Sequence, residues 1–294
     1  MIRADLQDIL CFDAKPLMLA SCPSSRVRDA TTNFQQDTTG MGSRIAVAGA
    51  TGQMGKMVIK VLRESEDLRL SGALVRHGSP FVGQSATDFL GWETEVLFED
   101  DVDRVLSDAD CLIELSSPGA VGGHVSACMR HGVPVVIGTT GLSQQLQAVI
   151  EDAATRIAIV QSANLSPAMT AVNEFLAKAA ALFPEYDVHI AEAHHRHKKD
   201  APSGTALWMA ESVKRARLES GCGADSHISF TSIRGGNIVS EHTAMLFGDV
   251  EQLEIKHVCT DREVYASGSL HAARFAIGQT PGLYSMKEVV AARR

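Results

Sequence analysis

Short apolar runs alternate with helical patterns from residue 44 to about residue 160. The run at 45–48 precedes a glycine turn and a helical pattern over 56–62, and a second helix is predicted at 121–131. Other strands are predicted at the remaining apolar runs, 68–75, 110–115, 134–137 and 157–160. Because strands separated by helices join through crossover connections, this half predicts a Rossmann-like, doubly wound α/β domain with a parallel sheet.

The pattern changes after about residue 166. A helix is predicted at 168–182, a strand at 186–192 and another helix from 203 to about 217. Three strand patterns follow, at 227–234, 238–247 and 250–258, and a Gly-Gly-Asn turn joins the first two. Consecutive strands with short turns predict a mostly antiparallel open sheet in an α+β domain. Such a sheet, with one exposed face and free edges, often pairs with a copy of itself, which favours an oligomer.

These patterns predict two domains and an N-terminal extension. Residues 43–166 form the predicted dinucleotide-binding domain, to which 262–294 return, with a helix predicted at 281–294. Residues 167–261 form the predicted substrate-binding and oligomerisation domain. Residues 1–42 mix both charges with a polar stretch and are predicted to be a disordered extension. Asp13, Lys15 and Pro16 interrupt any apolar core there, which argues against a signal peptide.

The overall composition limits the possible partners. The 294 residues carry a net charge of -8, which argues against nucleic acid or an anionic membrane surface as the main partner. No apolar run approaches the ~20 residues that span a bilayer. The six cysteines form no C-x-x-C pair, so reduced thiols and a cytoplasmic location are expected, with no metal site.

A glycine pattern follows the first predicted strand. Residues 49–55 are Gly-Ala-Thr-Gly-Gln-Met-Gly, in which the glycines allow a tight turn and close approach of the backbone to a pyrophosphate. The N-terminus of the next helix then offers free N–H groups to phosphate oxygens. The sequence therefore predicts a nicotinamide dinucleotide site at this turn.

The residues after the second strand bear on the choice of cofactor. Val75 stands where an NAD enzyme often carries an acid for the ribose 2′-hydroxyl, and Arg76 follows it. A guanidinium can hold a 2′-phosphate by charge and a forked hydrogen bond. NADPH is therefore predicted to be preferred over NADH.

Two later loops also follow strands, at 138–141 and 162–165. Each offers backbone amides and small hydroxyls at the carboxyl end of a parallel strand, where a nicotinamide would lie. As isolated motifs, both are equally compatible with ordinary turns.

Residues 192–206, Glu-Ala-His-His-Arg-His-Lys-Lys-Asp-Ala-Pro-Ser-Gly-Thr-Ala, are the densest chemical motif of the chain. Imidazoles exchange protons near neutral pH, and a lysine can neutralise developing negative charge. The Pro-Ser-Gly-Thr turn opens a helix whose N–H groups suit a carboxylate. This cluster predicts proton transfer on a small anionic ligand.

The motif resembles the one that marks the 4-hydroxy-tetrahydrodipicolinate reductase family. The glycine turn at 47–55, Val-Ile-Gly-Thr-Thr-Gly at 136–141, Ser-Ala-Asn at 162–164 and Gly-Gly-Asn-Ile-Val-Ser-Glu-His-Thr at 235–243 lie in the family's order. The resemblance covers residues 44–290 and none of the extension. It implies hydride transfer from NAD(P)H to a cyclic imine dicarboxylate in lysine and diaminopimelate biosynthesis, by a cytoplasmic homotetramer.

Roles for individual residues follow from this resemblance. His194 is implied as the proton donor or acceptor and Lys198 as the second catalytic group. His195, Gly204 and Thr205 are implied in substrate binding. The implied cofactor residues are Gly49, Ala50, Thr51, Gly52, Gln53, Met54, Arg76, Gly138, Thr139, Thr140, Ser162, Ala163, Asn164 and Leu165. Leu165 departs from the family, which frequently has an aromatic residue there.

Two other functions are compatible with the sequence. Another two-domain NAD(P)-dependent dehydrogenase would share the plan. A semialdehyde enzyme would need a nucleophilic cysteine, and the context of none of the six indicates one, although the sequence alone leaves Cys111 and Cys259 open. A metal-binding module could use His194, His195 and His197, although adjacent lysines would repel a cation.

Overall fold

The computed structural model describes residues 42–221 and 227–293. The predicted extension lies outside the described residues, apart from Gly42. None of the helices in the described ranges is both long and apolar enough to cross a membrane.

Seven strands form one parallel sheet. They are β1 (Ser43–Ala48), β2 (Leu68–Leu74), β3 (Phe98–Glu99), β4 (Cys111–Glu114), β5 (Val135–Ile137), β6 (Ala158–Gln161) and the C-terminal β11 (Gly282–Tyr284). Their spatial order is β11-β6-β5-β4-β1-β2-β3, and every neighbouring pair is parallel. The order reverses between β1 and β4, so the predicted doubly wound domain is confirmed and its ligand crevice lies at their carboxyl ends.

Helices cover both faces of this sheet. They are α1 (Gln53–Leu62), α2 (Val102–Leu106), α3 (Pro118–His131), α4 (Gln144–Ala154), α7 (Glu263–Ile277) and α8 (Met286–Ala291). One core cluster joins residues of α1, α7 and α8 to one face, and another joins residues of α2, α3 and α4 to the other. Apolar side chains alternate across each strand to reach both clusters, which is why the strands appear as near-continuous apolar runs.

The C-terminal segment differs from its prediction. The predicted helix over 281–294 begins instead with β11, which pairs with β6 and extends the parallel sheet. Only Met286–Ala291 are helical, after a capping box at Ser285 and Glu288. Pro281 and Gly282 oppose a helix at the start of the segment, so the chain first continues as an edge strand.

The second sheet contains four strands. They are β7 (Asp187–His194), β8 (Ile228–Arg234), β9 (Ser240–Phe247) and β10 (Gln252–Cys259), in the spatial order β10-β9-β7-β8. Helices α5 (Pro167–Leu182) and α6 (Gly204–Glu219) share the core cluster of this sheet. The pairs β7–β9 and β9–β10 are antiparallel, so the predicted mostly antiparallel sheet is confirmed.

The pairing of β8 corrects one expectation. The turn at 235–237 was expected to join β8 and β9 as neighbours, but β7 lies between them and runs parallel to β8. Helix α6 is the crossover that makes β7 and β8 parallel neighbours, since parallel strands need such a connection. The loop after β8 passes the carboxyl end of β7, where Gly235 N donates to the His194 carbonyl.

Candidate active site

The glycine turn brings bare backbone to the crevice between β1 and β4. Gly49 has φ +77°, and a Cβ there would lie 2.5 Å from the Leu115 carbonyl oxygen. A Cβ on Gly55 would lie 2.3 Å from the Gly49 carbonyl oxygen. Helix α1 begins at Gln53 with no side-chain cap on its first N–H groups. The turn therefore fits a pyrophosphate, which can approach the backbone and accept hydrogen bonds from α1.

A cavity of about 740 Å³ extends from this turn. Its lining residues are Gly49, Thr51, Gly52, Leu74, Val75, Arg76, His77, Ser79, Pro80, Phe81, Asp100, Val102, Leu115, Ser116, Ser117, Ala120 and His124. Arg76 is exposed at the end of β2, where a ribose 2′-substituent would lie. The cavity therefore has room and positive charge for the adenosine half of a dinucleotide.

An acid also lines this cavity. Asp100, just after β3, accepts a hydrogen bond from Gly78 N at 2.9 Å and pairs with His77 Nδ1 at 3.0 Å. Sequence reasoning missed Asp100 because it considered only the acid position at the end of β2. Asp100 is bound to the loop that follows Arg76, so it also helps hold that loop in place.

Glu114 is a buried carboxylate at the carboxyl end of β4. Its oxygens bond to Ser116 N at 2.7 Å, to the Ser116 hydroxyl and to His124 Nδ1, and Thr139 Oγ1 lies 3.3 Å away. One buried side chain thus connects β4, α3 and the loop after β5. These contacts hold together three segments that surround the crevice.

A second cavity, of about 360 Å³, lies between the two sheets. Its lining residues are Gln53, Met54, Leu115, Gly138, Ala163, Asn164, Leu165, His194, His195, Lys198, Thr205, Val239, Arg262 and Tyr265. Leu115 lines both cavities, so the two lie side by side. The glycine turn of the first sheet and the imidazole-and-lysine motif of the second therefore border one shared cleft.

Most of the predicted site residues line one of the two cavities. The exceptions are Ala50, Thr139, Thr140, Ser162 and Gly204. Ala50 is fully buried in the core, and the Ser162 hydroxyl donates to the Asn164 carbonyl within its own loop. The Ala50 and Ser162 side chains are therefore turned to the protein itself, and contact of these two residues with a ligand would come through their backbone.

His194 is held by a buried carboxylate. It ends β7, and its Nδ1 lies 2.5 Å from Oε2 of Glu192. Burial raises the pKa of Glu192, but hydrogen bonds from Arg234, Ser232 and His194 outweigh this and hold the pKa at about 2. An ionised carboxylate only accepts, so His194 Nδ1 carries the hydrogen and Nε2 remains for proton exchange.

The protonation of His194 reflects two opposed effects. Burial lowers its pKa from the usual 6.5, and the hydrogen bond and charge of Glu192 partly restore it. Lys198 and Arg234 lower it further through their positive charge. A bound dianion would raise the imidazole's pKa again, so His194 is suited to gain a proton when an acidic substrate enters.

Lys198 is held by an ion pair. Its Nζ lies 2.9 Å from Oδ2 of Asp200, and its side chain is only 22% exposed. The Asp200 backbone carbonyl accepts from Arg234 Nη2 at 2.6 Å. The loop that bears Lys198 is therefore tied to the end of β8.

Helix α6 directs its N-terminus towards the cleft. Ser203 caps it by accepting from Ala206 N at 3.2 Å, which leaves the N–H groups of Gly204 and Thr205 without helical partners. Thr205 Oγ1 accepts from Asn164 Nδ2 at 3.1 Å, across the cleft between the two sheets. These N–H groups can bind a carboxylate beside His194.

His242 is a buried imidazole beneath the cleft. Its ring lies edge-on to His194 with 5.2 Å between centroids, and its Nε2 lies 3.1 Å from the Ser203 hydroxyl. Burial, aided by the charge of His194, lowers the pKa of His242 to about 4. It therefore stays neutral at physiological pH and serves packing and capping.

Several cleft residues were missed by the sequence analysis. Arg262 donates to the Gln53 side-chain oxygen at 2.7 Å and so joins the start of α7 to the glycine turn. The Tyr265 hydroxyl lies 3.0 Å from the Ser240 hydroxyl. Glu192 could have been found, since it is two residues from His194 on one strand and thus on the same face. Arg262 and Tyr265 carry no comparable local signal.

The geometry disfavours a semialdehyde dehydrogenase, which would need a reactive cysteine. Cys111 is fully buried within β4, and burial raises the pKa of its thiol, so it is a poor nucleophile. Cys259 is also buried, with its Sγ 3.1 Å from the Asp261 carbonyl. Among the described residues, no group of three or more His, Cys, Asp or Glu side chains could hold a metal ion.

Comparisons with known proteins identify the family of the chain. Two family models match the chain: "Dihydrodipicolinate reductase, N-terminus" over residues 43–165 and "Dihydrodipicolinate reductase, C-terminus" over 168–290. A 4-hydroxy-tetrahydrodipicolinate reductase of Burkholderia ambifaria is 44% identical over 264 residues, which cover 85% of this chain and 100% of the relative. The enzyme of that name from Burkholderia pseudomallei is 43% identical with the same coverage.

A solved structure with the same fold is the dipicolinate-bound dihydrodipicolinate reductase from Paenisporosarcina sp. TG-14. It aligns with a TM-score of 0.68 at 22% identity, over 83% of this chain and 98% of the other. At this level of identity the likeness concerns the fold.

Proposed function

The chain belongs to the dihydrodipicolinate reductase family, and we propose that it is a 4-hydroxy-tetrahydrodipicolinate reductase. Such an enzyme transfers hydride from NAD(P)H to 4-hydroxy-tetrahydrodipicolinate, with tetrahydrodipicolinate and water as products, in lysine and diaminopimelate biosynthesis. The observation that supports this most is the shared cleft, which Met54 and Ala163 line from one side and His194 and Lys198 from the other.

The first domain would bind the nicotinamide cofactor, which would supply the hydride. The backbone of residues 49–54 and the N-terminus of α1 bind the pyrophosphate, and the loops at 138–140 and 162–165 border the nicotinamide. Arg76 favours NADPH over NADH because its guanidinium is exposed in the adenosine cavity and Val75 offers no acceptor to a ribose hydroxyl.

The substrate is a small dicarboxylate, and the cleft carries matching positive charge. The N–H groups of Gly204 and Thr205 bind one carboxylate at the start of α6. His195, which lines the same cavity, contacts the second polar end. Lys198 neutralises negative charge on the ring, while Asp200 keeps its ammonium in place.

His194 supplies the proton. Reduction of a conjugated imine leaves negative charge on the substrate that must be protonated, so an acid within hydrogen-bond reach is required. With Nδ1 bound to Glu192, His194 delivers the proton from Nε2. The hydrogen bond from Nδ1 to the carboxylate stabilises the imidazolium before this transfer.

The proposed organisation of the enzyme comprises two domains and an assembly of four copies. Residues 43–166 with 262–294 constitute the dinucleotide-binding domain, and 167–261 the substrate-binding and oligomerisation domain. The enzyme is a cytoplasmic homotetramer that assembles through the open face of the four-stranded sheet. Apolar side chains on that face support this assembly: Ile233 is 52% exposed and Val258 is 48% exposed.

A coupled assay tests the reaction. Pyruvate and aspartate semialdehyde, condensed by the preceding synthase, supply the cyclic substrate, and oxidation of NADPH is followed by its absorbance. Consumption that requires both precursors and the synthase supports the proposal. Background oxidation without them is the control, and no substrate-dependent oxidation with either reduced cofactor would contradict it.

A further inference from the structure

The strongest unassigned feature of the second domain is an ion pair behind His194, between the fully buried Glu192 and the partly buried Arg234. The Glu192 side chain has no exposed surface. Arg234 donates two hydrogen bonds to it, from Nη1 to Oε2 at 2.8 Å and from Nη2 to Oε1 at 2.6 Å. Partners surround the carboxylate: His194 Nδ1 also contacts Oε2, and Ser203 N donates to Oε1 at 3.3 Å.

A buried ion pair is weak evidence of a stabilising role. The desolvation of two charges can exceed their attraction, and apolar replacements of similar volume are often neutral or stabilising. Because the pair lies beside the reacting groups and its desolvation is unfavourable, we look for its role in the chemistry of the site. Its contacts indicate that role.

Glu192 connects to each element of the substrate site. Through His194 it reaches the end of β7, and through Ser203 N it reaches the cap of α6. Arg234 extends the network, since Nη2 also donates to the Asp200 carbonyl and Asp200 pairs with Lys198. The acid, the ammonium and the helix N-terminus thus share one buried carboxylate–guanidinium pair.

We propose that Glu192 and Arg234 are positioning residues, which fix the proton on His194 Nδ1 and set the distance between His194 and Lys198. The proposal deepens the reductase function and rests on it. Glu192 alone would hold the imidazole by one bond, and the forked guanidinium fixes the carboxylate plane so that the ring has one orientation. Without the pair, His194 can adopt the other tautomer and present the wrong nitrogen to the substrate.

The charged groups around His194 determine the direction of the expected pH effect. Glu192 on β7 raises the pKa of His194, whereas Lys198 on the following loop and Arg234 on β8 lower it. His242 on β9 faces the ring and is neutral above pH 4. Removal of the Glu192 charge therefore lowers the pKa of His194, and an activity that needs the imidazolium is lost at a lower pH.

The test compares four variants. Glu192→Gln removes the charge and keeps the size, Glu192→Asp keeps the charge, and Glu192→Gln with Arg234→Met removes both charges. Asp67→Asn is the matched control, because it breaks another forked arginine–carboxylate pair, with Arg274, in the first domain. The measurements are the NMR titration and tautomer of His194, the pH profile of kcat/KM and thermal unfolding.

In Glu192→Gln, the His194 titration and the kcat/KM profile should both move to lower pH, and kcat should fall about 10²–10⁴-fold, the range for loss of acid–base catalysis. Glu192→Asp should recover part of the His194 titration, of the kcat/KM profile and of kcat. The double variant should regain stability, since it leaves no unpaired charge in this network, but should not regain turnover. Its His194 titration should return only in small part, because the loss of the Arg234 charge raises the pKa of His194 while the hydrogen bond and charge of Glu192 stay absent. Asp67→Asn should change stability alone.

Two results would overturn the proposal. One is an unchanged His194 titration in Glu192→Gln; the other is activity in the double variant that recovers together with stability, which would mark the pair as structural. If Glu192→Gln does not fold, the double variant and Glu192→Asp are compared with the wild type by the same measurements. The NMR titration of His194 needs no substrate, so it tests the positioning role even if the coupled assay disproves the reductase function.

Discussion

At the scale of single residues, the chemistry depends on what surrounds one imidazole. His194 ends β7, is 8% exposed and donates from Nδ1 to a carboxylate whose pKa is about 2. This leaves Nε2 as the exchanging nitrogen at the cleft. The sequence alone indicates the histidine, but the tautomer follows only from the buried partner.

Substitution of His194 by Gln tests its role as the proton donor. An amide keeps much of the size and hydrogen bonding but cannot transfer a proton, so turnover should fall roughly 10²–10⁴-fold with the fold intact. Steady-state kinetics and circular dichroism measure the two effects. His131→Gln serves as the control, since His131 pairs with Asp103 away from both cavities. Full activity in His194→Gln would remove His194 from this role.

Substitution of Arg76 tests the choice of cofactor. A forked, charge-assisted contact with a 2′-phosphate contributes ~1.5–3 kcal/mol, so Arg76→Ala should weaken NADPH binding about 10–100-fold and NADH binding far less. Calorimetric dissociation constants for both cofactors give the comparison. Equal losses for the two would mean that Arg76 does not recognise the phosphate. Tighter binding of NADH by the unchanged chain would show the preference itself to be wrong.

At the scale of helices and strands, the elements with strong local signals were predictable. The strand at 43–48 and helix α1 follow from an apolar run, a glycine turn and a helical pattern. Helix α7 was missed because Glu263–Ile277 is rich in Ala, Gly and Ser and lacks a clear apolar stripe. Those small residues are needed for close packing: a Cβ at Gly268 would lie 1.8 Å from the Leu165 carbonyl oxygen.

Strand pairing was less predictable than strand position. The bounds of β8 and β9 agree with the pattern to within two residues, but short turns do not reveal that β7 lies between them. That neighbour relation is set by the α6 crossover and by the pair between Arg234 and Glu192, both long-range features. The buried ion pair was beyond prediction for the same reason.

The buried His242 of β9 makes stability depend on pH. Its pKa is about 4 in the folded protein and near 6.5 when unfolded, so only the unfolded chain gains the proton between these values. The contribution of neutral His242 to the free energy of unfolding is complete above about pH 6.5 and is lost as the pH falls to 4. By pH 5 the loss is on the order of 2 kcal/mol.

Urea unfolding at pH 7 and pH 5 checks this effect. The wild type should lose more stability between the two pH values than His242→Gln, whose side chain does not titrate. His194 and His257 titrate in both proteins, so the difference between the two isolates His242. An identical pH dependence in both would contradict the predicted shift of its pKa.

At the scale of the whole molecule, the open face of the second sheet is expected to assemble copies of the chain. Ile233, Val258 and Phe247 lie on this face, opposite the helices. Light scattering should give a mass near four times the 31.4 kDa of one chain. Ile233→Glu with Val258→Glu should reduce that mass, because a charge would be buried in the interface.

Leu218→Glu provides the matched control, since Leu218 is 56% exposed on α6, away from the open face. It should leave the mass unchanged. A wild-type protein that stays monomeric at the concentrations of the assay would contradict the tetramer. A sheet-face variant that keeps the full mass would place the interface elsewhere.

The proposed reaction requires the cofactor site of the first sheet and the His194 site of the second sheet to share one reaction space. Met54 and Ala163, beside the first sheet, line the same cleft of about 360 Å³ as His194 and Lys198, beside the second. A crystal structure with NADPH and a cyclic dicarboxylate analogue tests this most directly. It should place the nicotinamide ring in this cleft, with a carboxylate of the analogue on the N–H groups of Gly204 and Thr205. A ring bound elsewhere, with His194 out of reach of the analogue, would contradict the account.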